Sequence, residues 1–224
     1  MKVAVLVLLA VLLGACQTTA VRDDRFVRFF DELTFGSGAD GAADKQRTAR
    51  RWEGPLEWTA EGSETFTRIA ASRMDRIAGI AGRDSVQVRE NGVIRFRQDP
   101  IGTAYPVQEN LTSCFVRLSY AGDEIIRASI WIAEDTEERI IRCIDHEMMH
   151  ALGFRFHSAA IASVMSPFHE QMTLSRWDIM ALRALMSDRL QAGTPRNEAL
   201  AEVERMFPAL QAYADREASR TATN

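Results

Sequence analysis

Strand-like and helix-like segments alternate along the chain and predict an α/β fold: a small twisted sheet, a helix packed on it, and a later helix leading into a mainly helical C-terminal part. The periods support this. Ile126, Ala128, Ile130 and Ile132 alternate with Arg127, Ser129 and Trp131, the two-residue period of a strand. Ile140, Ile141, Ile144, Met148 and Leu152 recur at helical spacing. Hydrophobic residues make up 46% and charged residues 26%, the balance of one globular domain with tails.

Thr18 to about Arg22 reads as a tether. Asp23 to Leu33 carries Phe26, Val27, Phe29 and Phe30 and predicts a short amphipathic helix. Phe35 to Thr48 is rich in Gly, Ala and Asp and predicts a loop. Pro55 to Thr59 predicts a strand, and Glu64 to Ile80 a helix that stops near Ala81-Gly82. Ser85 to Arg89 and Val93 to Arg97 lie on either side of Asn91-Gly92, which predicts a β-hairpin. Cys114 to Tyr120 and Ile125 to Ile132 predict two further strands. Asp135 followed by Glu138 predicts a capping-box start for the helix that Gly153 ends. Helices follow over Ser175 to Ser187 and from Asn197 to Arg205 or beyond, before an Ala/Thr-rich end expected to fray.

Net charge is −4, with Lys and Arg scattered, so no electrostatic case for nucleic acid exists. Met1-Lys2, the apolar run Val3 to Leu13 and the small residues Gly14-Ala15 before Cys16 fit a secretory signal. The run is too short to span a bilayer as a helix. Leu13-Gly14-Ala15-Cys16 also resembles a bacterial lipobox, which implies lipidation of Cys16 after removal of residues 1–15 and a membrane held by lipid chains. The alternative is an ordinary signal cut near Ala15. By resemblance to enterobacterial sorting, Gln17 after the cysteine implies the outer membrane, facing the periplasm. Cys114 and Cys143 remain, and in an exported protein they pair or stay as two buried thiols.

The strongest functional signal is His146-Glu147-Met148-Met149-His150, with Gly153 and His157 after it, in a chain of only four histidines. Histidines four apart share a helix face at about 6 Å between Cβ atoms and can grip one metal ion. Glu147 sits beside them as a candidate general base. A catalytic zinc takes three protein ligands and keeps one position open. Gly153 lets the chain turn, and His157 is the candidate third ligand, with His169 and Glu170 as alternatives. Asp145 reads as a solvated helix charge, or as a group that orients the ligand next to it. Asp178 reads as a cap for its helix.

This stretch resembles the metzincin zinc proteases, whose motif is H-E-x-x-H-x-x-G-x-x-H with a methionine turn downstream. His146, Glu147, His150 and Gly153 match, and Ser163-Val164-Met165-Ser166-Pro167 resembles the methionine turn. Leu174 to Met186 resembles the helix that follows in matrixin-like members. The third histidine is one residue late, since Phe156 stands at the matching place. Pro167 stands where some metzincins carry a tyrosine that stabilises the transition state. The resemblance implies a zinc ion on His146, His150 and His157, Glu147 as base, a structural Met165, and Ile125 to Ile132 as the sheet edge over the cleft. It implies a peptide or protein substrate.

The mature chain also resembles a bacterial lipoprotein family known as domain of unknown function 2927, through Arg51-Trp52-Glu53-Gly54-Pro55, Arg142-Cys143-Ile144 and Leu152-Gly153. Members often lack the histidine pair. The expected layout is a signal over 1–15, a tether with helix and loop over 16–50, a catalytic-type domain over 51–190, and a helix and tail over 191–224. The expected function is a zinc metallopeptidase of the cell envelope. The alternative is a non-catalytic envelope lipoprotein that binds a peptide or protein partner.

Overall fold

In the computed structural model, residues 23–37, 47–98, 114–167 and 171–222 are described. The signal-like segment and Cys16 lie outside them. The elements are α1 (Asp24–Phe35), β1 (Arg51–Trp52), β2 (Leu56–Glu61), α2 (Glu64–Ala81), β3 (Ser85–Gln87) and β4 (Ile94–Gln98). They continue with β5 (Cys114–Ala121), β6 (Glu124–Ile132), α3 (Glu137–Leu152), α4 (Arg176–Leu185) and α5 (Arg196–Ala222). This is the α/β class that the alternating periods predict. No helix among the described residues is long and apolar enough to cross a membrane.

Five strands run parallel in the order β1-β6-β4-β2-β3, and β5 joins β6 antiparallel. β5 covers one edge of β6 along its length. β1 and β4 therefore share the other edge end to end, opposite Glu124–Ile125 and Ala128–Ile132. β6 is thus interior, and among the described strands β5 lies outermost on that side of it. This corrects the expectation that Ile125 to Ile132 forms the edge.

The hairpin expected at Asn91-Gly92 is absent. β3 and β4 lie on opposite edges of β2 and both run parallel to it, with Trp58 opposite Gln87 on one side and Ile94 on the other. The chain between them must cross β2. Asn91 turns it, with φ 60. Gly92 lets it pass: a Cβ there would stand 2.7 Å from the Thr59 amide nitrogen. The turn signal is real, but it serves a crossing and not a two-residue loop.

Helix ends follow local chemistry. The Ser63 hydroxyl accepts from Phe66 N–H at the start of α2, and Gly82 ends the helix at φ 67. α3 starts behind Thr136 without a side-chain cap, so the expected Asp135/Glu138 box is not formed. The reciprocal box occurs on α4, between Ser175 and Asp178. α5 continues well past Arg205 to Ala222, with Pro208 inside it.

The N-terminal helix is part of the main core. Phe26, Phe29, Phe30 and Leu33 are fully buried. Phe26 packs on Trp177 of α4 and Phe207 of α5, and Phe30 meets Phe154 edge-on at 6.0 Å. Trp58 packs on Phe96 and Trp131 on Phe115, so these indoles serve sheet packing.

Arg51 explains part of the Arg-Trp-Glu-Gly-Pro signature. Its Nη1 donates to the carbonyls of Leu185, Ser187 and Leu190, and its Nη2 to Glu53 at 2.8 Å. Those carbonyls belong to the end of α4 and the turn after it, where helix geometry leaves acceptors without partners. Glu53 also accepts from Ala192 N–H at 2.7 Å. Arg51→Met is expected to lower the unfolding free energy by about 3–5 kcal/mol, because it strips buried acceptors of their donor. Urea denaturation measures this; a change under about 1 kcal/mol contradicts it.

Candidate metal centre

α3 positions two histidines and the glutamate. Ile140, Ile144, Met148 and Leu152 are fully buried and fix the rotation of the helix. His146 and His150 then emerge from one face, and Glu147 beside them is 4% exposed. Gly153 turns the chain at φ 137, where a Cβ would collide with the Arg50 carbonyl. That positive φ is not the ordinary left-handed cap, so both conformation and space require glycine here. The chain then returns and brings His157 back to the helix.

The three imidazoles converge. His146 Nε2 lies 3.2 Å from His150 Nε2 and 3.3 Å from His157 Nε2. Among the described residues these three form the group of His, Cys, Asp or Glu side chains placed to hold one metal ion. A carbonyl only accepts, so the partners of the far nitrogens fix the tautomers. His146 Nδ1–H donates to Val164 O at 2.7 Å, and His150 Nδ1–H to Phe154 O at 2.5 Å. Their Nε2 atoms therefore carry lone pairs when the rings are neutral. Burial pushes His146 down to about 4 and His150 down to about 3, which keeps them neutral at pH 7. Lone pairs facing one another at this distance repel unless a cation lies between them.

The two spacings from His146 fit a zinc ion. Bonds of about 2.0–2.1 Å in tetrahedral geometry put ligand nitrogens about 3.3 Å apart. The backbone carbonyls that orient the two rings are the outer contacts that metal-binding histidines use. His157 thus joins the cluster despite its late position in the motif. His169 and Glu170 lie outside the described residues.

Glu147 faces the same cleft, and burial pushes its carboxyl up to about 8. The cleft holds about 480 Å³. Its walls are Cys114, Phe115, Val116, Leu118 and Tyr120 of β5, the three histidines, Glu147 and Arg155. The β5 residues and Arg155 are additions to the site that the sequence predicts. The signal for the former is the strand itself, since the edge place over the cleft is expected of Ile125 to Ile132.

Cys114 and Cys143 are joined in a disulfide, with Cα atoms 5.8 Å apart. The bond ties the start of β5 to α3 one helical turn before His146. Two separate thiols are therefore not what the fold contains.

Asp145 is not a solvated charge. It is fully buried, and Arg73 of α2 donates to its two oxygens at 2.8 and 2.5 Å. Leu174 N–H donates to it at 3.1 Å. Burial pushes its carboxyl up, and Arg73 and Leu174 oppose that shift. The missed signal is Arg73 itself, which falls on the buried stripe Phe66, Ile69, Ala70, Met74 and Ile77.

Met165 is fully buried, in a turn closed by Ser166 N–H donating to Ser163 O at 3.1 Å. Val164 in this turn accepts from His146 through its carbonyl, and its own N–H donates to Asp178 at 3.2 Å. Asp178 also accepts from Ser175 N–H and Oγ. It therefore links the cap of α4 to the peptide that orients His146.

No curated protein matches the chain. A family model, described as protein of unknown function (DUF2927), matches residues 23–205, a span that includes α1, the whole sheet and the histidine cluster. The chain belongs to the DUF2927 family.

Proposed function

We propose that the protein is a zinc-dependent metallopeptidase. It is carried as a lipoprotein in the bacterial envelope, anchored through Cys16 to the outer membrane on its periplasmic side. The observation that supports the catalytic reading best is the meeting of three imidazoles, with His146 Nε2 at tetrahedral spacing from each of the other two Nε2 atoms and two rings tied by Nδ1–H to backbone carbonyls. The metzincin resemblance of the motif points the same way. His146, His150 and His157 would hold the ion, three ligands that leave one position open for chemistry.

When bound, zinc supplies Lewis acidity, lowering the pKa of water and polarising a carbonyl. The chain's own residues do the rest. A cation on the three histidines would favour the ionised form of Glu147, whose carboxylate would then take a proton from the attacking water and deliver it to the leaving amine nitrogen. Its burial excludes competing solvent. Among the described strands β5 pairs with β6 alone, so an extended peptide can add along its open edge by backbone hydrogen bonds. Phe115, Val116, Leu118 and Tyr120 favour apolar side chains beside the scissile bond.

The test is metal content of the purified protein by mass spectrometry, with hydrolysis of a quenched peptide library. Wild type is expected to hold about one zinc per chain and to cleave, while His150→Ala and His157→Ala lose both. Chelation is expected to lower Tm, since bound metal stabilises the folded state. A wild-type chain without zinc under zinc-replete conditions sinks the reading. Zinc without hydrolysis leaves a non-catalytic peptide-binding lipoprotein.

A further inference from the structure

The third ligand needs a mechanism of placement. His157 arrives one residue later than the motif's pattern, in an irregular loop, whereas His146 and His150 are fixed by a helix. The extra residue must be accommodated without moving the imidazole.

α1 does this from both sides of His157. On one side, Phe156 N–H donates to Leu33 O at 3.1 Å. The Phe156 ring lies on Gly36 at the end of α1, where a Cβ would stand 2.9 Å from it. On the other side, the Ser158 hydroxyl donates to Glu32 Oε2 at 2.5 Å. Ser158 is 1% exposed and Glu32 3%. Ser158 N–H also donates to Met165 O at 3.1 Å, which joins the loop to the turn that orients His146. The second oxygen of Glu32 accepts from Arg28 at 2.7 Å.

Burying a carboxylate is unfavourable unless its hydrogen bonds offset the lost hydration. A hydrogen bond to an ionised acceptor is short and strong. Glu32 directs its buried oxygen at the residue next to the third ligand and at no element of the sheet. We propose that Glu32 and Ser158 are positioning residues of the metal centre. The N-terminal helix, through this bond and the Phe156 seat, sets His157 as the third ligand in spite of the added residue. This rests on the metal reading above. It makes α1 part of the site and not a spacer between tether and domain.

Arg196 supplies the control. It holds α1 to α5 through Asp31, donating at 2.6 Å to each oxygen, and touches neither the loop nor the histidines. Zinc affinity is measured on the purified full-length protein by competition with a chromophoric chelator. The absorption spectrum of the Co²⁺ form reports the ligand field. Ser158→Ala is expected to weaken zinc about 10–100-fold and to alter the cobalt spectrum. Glu32→Gln, which keeps an acceptor oxygen, is expected to lose less. Arg196→Ala is expected to lower Tm yet keep wild-type affinity and spectrum.

Wild-type affinity and spectrum in Ser158→Ala overturn the proposal. If that variant does not fold, Glu32→Gln decides: unchanged affinity overturns it. An Arg196→Ala loss as large as that of Ser158→Ala also overturns it, because general loosening then suffices. A wild type that binds no zinc overturns the metal reading itself and this inference with it, whereas zinc-replete wild type with an indifferent Ser158→Ala overturns only the inference.

Discussion

Glu147→Gln is expected to keep zinc and the fold while lowering kcat for peptide hydrolysis by about 10²–10⁴-fold. The amide has the shape of the carboxylate and cannot take a proton from water. Glu147 is nearly buried, and no ion pair to it is present among the described residues, so the amide breaks no ion pair among them. The three nitrogens that would bind zinc do not include it. Metal content and activity therefore separate in this variant, whereas in His150→Ala they fall together. Single-turnover kinetics with a fluorogenic peptide, alongside zinc analysis, measures both. A Glu147→Gln enzyme with wild-type kcat removes Glu147 from the mechanism. A variant that loses zinc as well assigns the glutamate to the metal site and leaves the base unidentified.

The parts of this centre that are legible in the sequence are those fixed by local periodicity. His146, Glu147 and His150 sit on one helix, and three- and four-residue spacing determines which way they face. Gly153 and Met165 are legible because their roles are local too. The late His157 is ambiguous, since nothing in a sequence shows where a loop returns. The structure brings it to the other two histidines, and the residues on either side of it meet α1, more than a hundred residues away in the chain. The same limit explains the two sheet corrections. Strand existence can be read from alternation, but strand order depends on which edges are still open. Asn91-Gly92 looks like a hairpin because the sequence does not show β2 lying between the two strands it joins. The edge over the cleft falls to β5 and not to β6 for the same reason, and the cleft wall goes unseen with it.

Arg73 and Asp145 give a stability effect as large as the one expected at Arg51. The pair joins α2 to α3 at the residue before His146, with Nε and Nη2 of Arg73 on the carboxylate and Leu174 N–H adding a third bond. Neither group has water to fall back on: Asp145 is fully buried and Arg73 is 8% exposed. Removing one partner leaves a buried charge, so Arg73→Met is expected to cost about 3–5 kcal/mol. That is a large share of the roughly 5–15 kcal/mol that holds a typical domain together. The double variant Arg73→Met/Asp145→Leu removes both charges and is expected to recover part of the loss. It does not recover all of it, because Leu174 N–H is then buried without an acceptor, at about 1–3 kcal/mol. Urea denaturation of the wild type, both single variants and the double variant closes the cycle. A double variant as unstable as the sum of the singles means that the two groups act independently, and the ion pair is then not what fixes α3 against α2. Recovery in the double variant, with zinc retained, means that the pair sets helix packing and that the histidine face of α3 survives its replacement by apolar groups.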